Sequence, residues 1–109
     1  MIEHVIEYKD ENFCISKKKN KYTILTTKDI TVWGLKKIKI NVELPNDIIA
    51  CIPNNKVNNH KSLFRMIFPG SDFSFYIFSW FPLIIQENSV IADVVFIESR
   101  ECYVVIDTN

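Results

Sequence analysis

A strict alternation of apolar and polar residues from Lys37 to Leu44 is the clearest structural signal in this sequence. The apolar positions are Ile38, Ile40, Val42 and Leu44, and the polar positions are Lys37, Lys39, Asn41 and Glu43. A period of two places the two sets of side chains on opposite faces of an extended strand. The pattern therefore predicts a strand with one buried and one solvated face, which Pro45-Asn46-Asp47 is expected to end.

Residue usage favours strands over the whole chain. The 109 residues include two glycines and two alanines, whereas β-branched and aromatic residues are abundant. A chain of this length fits a single globular domain, 1–109, with one modest core. We predict about seven to nine short strands in a mainly β fold, which is a small sandwich, a partly open barrel or a bent antiparallel sheet.

Individual elements follow from the same patterns. Strands are predicted at 2–8, 13–16, 22–26, 73–81, 90–98 and 102–107, with the last two forming a hairpin. The run 17–21 is expected to connect two strands, Gly34 to mark a bend or bulge, and 53–59 to form a loop. The segment 58–68 has two interpretations. One is a short helix ending at Pro69-Gly70, which would make the fold α+β. The other, which we favour because the 73–81 strand follows directly, is a strand and a hairpin turn at 69–72.

Charge is balanced overall but segregated along the chain. Thirteen basic and thirteen acidic residues give a net charge of zero, which excludes a basic field over the whole molecule. Residues 17–39 nevertheless contain eight lysines and one acid, Asp29, and residues 84–109 contain five acids and one base, Arg100. These charges either solvate turns and strand faces or form a dipolar surface of which one sign faces a partner.

Motifs that carry chemistry are missing from the sequence. Two glycines, Gly34 and Gly70, cannot build a phosphate-binding loop, and no HExxH or calcium-loop pattern occurs. The three cysteines (Cys14, Cys51 and Cys102) and two histidines (His4 and His60) have no metal-ligand or catalytic spacing. We therefore predict a protein that is not an enzyme, with no catalytic residues, metal or cofactor. The odd cysteine count, the acidic N-terminus and the lack of a long apolar stretch predict a cytoplasmic protein that does not contact membranes.

The segment around 73–81 is apolar on both faces of its predicted strand. Phe73, Phe75, Ile77 and Phe81 share one face, and Tyr76, Phe78 and Trp80 share the other. Two interpretations remain open. The strand is central and covered on both sides, or one face is a binding surface, for which Tyr and Trp are typical anchors.

These features together predict a small inhibitor that binds another protein. The most specific form is an immunity protein or antitoxin that neutralises a cognate toxic enzyme, such as a nuclease with a basic cleft, by docking on it. The candidate partner-binding residues are Tyr76, Phe78, Trp80, Asp93, Glu98 and Glu101. The alternative is a nucleic-acid-binding or phage-type accessory module that uses the lysine-rich segment 17–39. The residues for that alternative are Lys17, Lys18, Lys19, Lys21, Lys36, Lys37 and Lys39.

Overall fold

The structure is a computed structural model that describes residues 8–19 and 21–98. Over these residues the chain forms ten strands and no helix. The strands are β1 (Tyr8–Lys9), β2 (Phe13–Lys18), β3 (Lys21–Thr26), β4 (Ile30–Ile40), β5 (Ile48–Ile52), β6 (Asn55–Val57), β7 (His60–Ser62), β8 (Arg65–Ile67), β9 (Phe73–Ile85) and β10 (Val90–Glu98). The predicted mainly β fold is confirmed.

The strands form two antiparallel sheets that do not close into a barrel. One sheet has six strands in the order β1-β2-β3-β10-β5-β8, and the other has four in the order β4-β9-β7-β6. Buried side chains from both sheets, such as Ile24 and Phe96 from the first and Phe75 and Ile77 from the second, belong to one hydrophobic cluster. Each sheet therefore has one face on this shared core, as expected for antiparallel sheets.

The alternating segment lies partly in β4 and shows the predicted alternation of buried and exposed side chains, but the strand does not extend to Pro45-Asn46-Asp47 as predicted. Ile38 and Ile40 are buried, and Lys37 and Lys39 are exposed. The strand ends at Ile40, but the period of two continues beyond it, because Leu44 is still buried in the core cluster.

The irregularity predicted at Gly34 is confirmed. Val32 lies opposite Leu83 and Gly34 lies opposite Ser79, so three residues of β9 face the single residue Trp33 of β4. Gly34 has a φ of +70°, a conformation that L side chains rarely adopt. This bulge moves 80–82 out of the regular pleat, and for that reason Phe81 is exposed instead of sharing the buried face of Phe75.

Several connections differ from the sequence predictions. The segment 58–68 contains no helix, in agreement with the favoured interpretation, but it forms two short strands, β7 and β8, which lie in different sheets, and not one. The run 53–59 is not one loop, because β6 lies within it and pairs with β7 across a turn at Asn58, whose φ is +51°. The link 69–72 is not a hairpin turn, because β8 and β9 belong to different sheets.

The remaining predictions concern a hairpin and two terminal strands. The predicted hairpin at 17–21 is confirmed, but its connection is shorter than predicted, because Lys17 and Lys18 belong to β2 and Lys21 belongs to β3. The predicted strand at 102–107, and that at 2–8 apart from Tyr8, fall outside the described residues. Where the structure describes the chain, it contains no helix long and apolar enough to cross a membrane.

Candidate functional site

The outer face of the four-stranded sheet carries a group of apolar side chains that point away from the core. It is formed by outward residues of the paired strands β4 and β9. We call this group the apolar face, and its members are Trp33, Leu35, Tyr76, Phe78, Trp80 and Ile84. Five of the six are exposed, and Phe78 is half-buried. Large exposed apolar patches on soluble proteins typically mark interaction sites.

The two tryptophans are the most exposed members of the apolar face. Trp80 is 85% exposed and Trp33 is 72% exposed, whereas Phe75 and Ile77 on the opposite face of β9 are fully buried. The interpretation of 73–81 as a strand covered on both sides is therefore wrong. The strand is central in hydrogen bonding, but only one of its faces is covered.

Strand register and the bulge fix the arrangement of the apolar face. Leu35 lies directly opposite Phe78, and the Phe78 and Trp80 rings pack edge to face with centroids 4.8 Å apart. Trp33 stands opposite the bulged residues of β9, and Ile84 continues the face beyond them. The result is an apolar ridge that runs along β4 and β9.

Lysines border this ridge. Strands β4, β6, β7 and β9 contain five lysines and no acid; Lys37, Lys39, Lys56 and Lys61 are on the side of the apolar face, and Lys36 lies opposite the buried Ile77. Lys37 lies opposite Tyr76 and Lys61 lies opposite Phe78. Lys39 is 3.8 Å from Asp72 in an exposed ion pair, which contributes little to stability.

The free edge of the sheet is protected against strand pairing. In the part of the chain that the structure describes, β4 has one hydrogen-bonded neighbour, β9. Lys36 lies opposite the buried Ile77, Lys37 and Lys39 are exposed, and the bulge interrupts the strand. Lysines and bulges are common devices against edge-to-edge aggregation. A partner is therefore expected to contact side chains of the apolar face, and not the backbone of β4.

Two of the acidic residues predicted to bind a partner, Asp93 and Glu98, lie on the other sheet and not on the apolar face. Asp93 is on β10 in the other sheet, where it accepts a hydrogen bond from Asn55 Nδ2 at 3.0 Å and pairs with Lys21 at 3.2 Å. Glu98, on the same strand, is 8% exposed. Glu101 lies outside the described residues. The structure thus separates the predicted aromatic residues Tyr76, Phe78 and Trp80 from Asp93 and Glu98.

The lysines of the nucleic-acid alternative are also divided between the sheets. Lys17, Lys18, Lys19 and Lys21 belong to the β2–β3 hairpin of the six-stranded sheet, and Lys36, Lys37 and Lys39 belong to β4. Within the hairpin, the Lys17 ammonium lies 5.7 Å from the centre of the Tyr22 ring. Only the β4 group lies on the sheet that carries the apolar face.

Sequence reasoning missed part of this surface. Trp33 and Leu35 lie four and two residues before Lys37, so extending the alternation backwards would have placed them on the outer face. Lys56 and Lys61 carried no such signal, because only the β6–β7 pairing brings them together.

Among the described residues, the other titratable groups do not form a site with evident chemistry. His60 is buried, and its Nε2 lies 3.0 Å from the Ile91 carbonyl oxygen, which is a structural hydrogen bond. Burial raises the pKa of the Cys51 thiol, so the reactive thiolate is disfavoured there. No cluster of three or more His, Cys, Asp or Glu suited to a metal occurs in 8–19 and 21–98.

Comparisons with known proteins leave the apolar face to be interpreted from its own chemistry. No protein-family model, curated protein or solved structure matches this chain. The residues available for that interpretation are an exposed aromatic ridge and the lysines around it.

Proposed function

We propose that this chain is a small inhibitor that binds another protein through the apolar face. In its most specific form it is an immunity protein or antitoxin that covers the active site of a toxic enzyme. The observation that carries the proposal is the exposure of Trp33, Trp80 and Ile84 side by side on one sheet. An apolar centre with aromatic anchors and a charged rim is the usual anatomy of a protein interface.

Burial of the exposed tryptophans would offset much of the cost of association. Covering the two indoles alone removes roughly 400 Å² from water, if a tryptophan contributes about 250 Å². At about 25 cal/mol per Å², that corresponds to about 10 kcal/mol, which is of the same order as the cost of association. The other members of the apolar face add to this driving force.

The proposal depends on the aromatic residues and not on the acids. Binding to a basic nuclease cleft would need accessible carboxylates. Asp93, however, forms an ion pair with Lys21 and a hydrogen bond with Asn55, and Glu98 is buried. The surface offered to a toxic enzyme is instead apolar and basic.

Co-expression with the product of the adjacent gene tests this function. The double variant Trp33→Ala/Trp80→Ala is expected to lose co-purification and protection from toxicity while keeping its far-UV circular dichroism. Phe68→Ala serves as the control, because Phe68 is also an exposed aromatic residue but follows β8 at the edge of the other sheet. Retention of the partner and of protection by the double variant would contradict the proposal.

Single-stranded nucleic-acid binding is a second candidate. It is favoured by the five lysines and the absence of acids on strands that also expose stacking rings. It ranks second because Leu35 and Ile84, which are part of the same exposed surface, have no plane on which a base could stack. Binding of an oligothymidylate with a steep salt dependence would support this candidate.

A further inference from the structure

The four-stranded sheet is basic although the chain as a whole is neutral. Its strands contain five lysines and no acid, whereas the full sequence has thirteen residues of each sign. The acids of the described chain lie in the connections or on β10 of the other sheet. Any surface that covers the apolar face therefore also meets this positive charge.

Two of these lysines lie directly opposite each other. Lys56 on β6 lies directly across from Lys61 on β7, and both are exposed. Like charges at opposed positions destabilise a sheet. Lys18 and Lys21 form a similar pair in the other sheet, but there Asp93 lies 3.2 Å from the Lys21 ammonium. Within 8–19 and 21–98, no acid forms an ion pair with Lys56 or Lys61.

We infer that the partner is a protein whose contact surface is acidic around an apolar anchor. The anchor packs on the ridge between Trp33 and Tyr76, and carboxylates reach Lys37, Lys61 and Lys56 at its border. These carboxylates neutralise the like charges of the Lys56–Lys61 pair. This inference rests on the proposed function and adds the chemical class of the partner.

Charge complementarity selects this occupant over a second copy of the chain. A second copy would bring the same lysines to the interface and no acid from its own four-stranded sheet. Pairing two copies through the β4 edge is opposed by Lys36, Lys37, Lys39 and the bulge. An acidic protein surface with an apolar centre can neutralise the lysines and cover the aliphatic side chains of the apolar face at the same time.

Synthetic probes of defined charge test the chemical class of the partner directly. The probes are a random copolymer of glutamate and tyrosine, a random copolymer of lysine and tyrosine, and an oligothymidylate. Their binding to the immobilised protein is measured by biolayer interferometry. The acidic copolymer is expected to bind saturably, the basic copolymer not to bind, and the oligothymidylate to bind more weakly.

The variant Lys61→Glu gives the sharpest result, because it should act in opposite directions on binding and on stability. It is expected to weaken binding of the acidic copolymer about tenfold. It should also raise the urea midpoint, because Glu at this position lies opposite Lys56 and replaces a like-charge pair. Lys18→Glu is the control on the other sheet, with binding expected to stay within about twofold of the parent. A folding defect cannot produce weaker binding together with higher stability.

Several results would overturn the inference. These are no saturable binding of the acidic copolymer, equal binding of the basic copolymer, tighter binding of the oligothymidylate, or unchanged binding by Lys61→Glu. A dimer in analytical ultracentrifugation that Trp80→Ala dissociates would identify a second copy as the occupant instead.

The co-expression assay separates failure of the inference from failure of the proposed function. If Trp33→Ala/Trp80→Ala loses the adjacent gene product and Lys61→Glu retains it, docking through the apolar face stands and the acidic partner is rejected. If both variants retain that product, both proposals are rejected.

Discussion

Ile84 and Ile85 allow the two faces of β9 to be compared with a single kind of mutation. They are adjacent and chemically identical, but Ile84 is 65% exposed on the apolar face and Ile85 is 6% exposed in the core. Replacing each with alanine deletes the same atoms and changes strand propensity by a similar amount. The difference between the two variants therefore reports mainly the burial of each face.

Their burial gives the expected magnitudes. Ile85→Ala leaves a cavity in a packed core and is expected to cost about 2–5 kcal/mol of unfolding free energy. Ile84 loses about a third of its surface on folding, and full burial of such a side chain contributes about 1.5–3 kcal/mol. Ile84→Ala is therefore expected to cost about 0.5–1 kcal/mol, with no cavity term.

Urea unfolding followed by circular dichroism measures both losses. With a slope of about 1–3 kcal/mol per molar urea, the midpoints of the two variants should differ by about 1 M, with Ile84→Ala close to the parent. Equal losses, or a larger loss for Ile84→Ala, would mean that the outer face of β9 is covered, and the docking surface would have to be abandoned.

Three further predictions concern other parts of the fold. Gly34→Ala should lower the unfolding free energy, measured with urea, by about 1–2 kcal/mol. The cost is conformational and not a steric clash, because the φ of Gly34 is +70° and nothing lies within 4 Å of an added Cβ. Partial desolvation raises the pKa of Asp10. Two effects outweigh it and lower the pKa: the backbone N–H groups of Phe13 and Asn12 each donate a 2.7 Å hydrogen bond to Asp10 Oδ1, and Tyr8 donates a further hydrogen bond. The stability that this carboxylate contributes is present above its ordinary pKa and disappears as the pH falls through the lowered folded-state value. The gap between the parent and Asp10→Asn in urea unfolding should therefore close in acid, and a gap independent of pH would contradict the assignment. His60→Ala should lower the unfolding free energy by about 2–4 kcal/mol, because it leaves a cavity and an unpaired Ile91 carbonyl, and a loss below about 1 kcal/mol would show that this hydrogen bond is dispensable.

The fold class was predictable because local preferences and the tertiary structure agree. Scarce alanine and glycine, abundant β-branched residues and the alternation at Lys37–Leu44 act through neighbouring residues alone. Gly34 was recognisable as an irregular position for the same reason, since a positive φ is a property of one residue. The cytoplasmic location and the absence of catalysis stay predictions.

Positions that depend on distant strands were not predictable. By alternation along β9, Phe81 would share the buried face with Phe75. The bulge opposite Trp33 of β4 turns it outward instead. Glu98 belongs to the acidic stretch 84–109 of the sequence, but pairing of β10 with β5 places it opposite the buried Ile48. The β6–β7 hairpin in a segment rich in asparagine could not be distinguished from a loop, because three-residue strands carry little periodicity.

The sequence by itself determined that this protein is built from strands and that Tyr76, Phe78 and Trp80 share one face of one of them. These are properties of chain chemistry and of a two-residue repeat. Only the tertiary structure decided that this face is left uncovered, that Trp33 and Leu35 extend it, and that lysines from β4, β6 and β7 surround it. The physical reason is that a strand fixes which side chains point together, whereas the packing of one sheet on the other decides which side meets water.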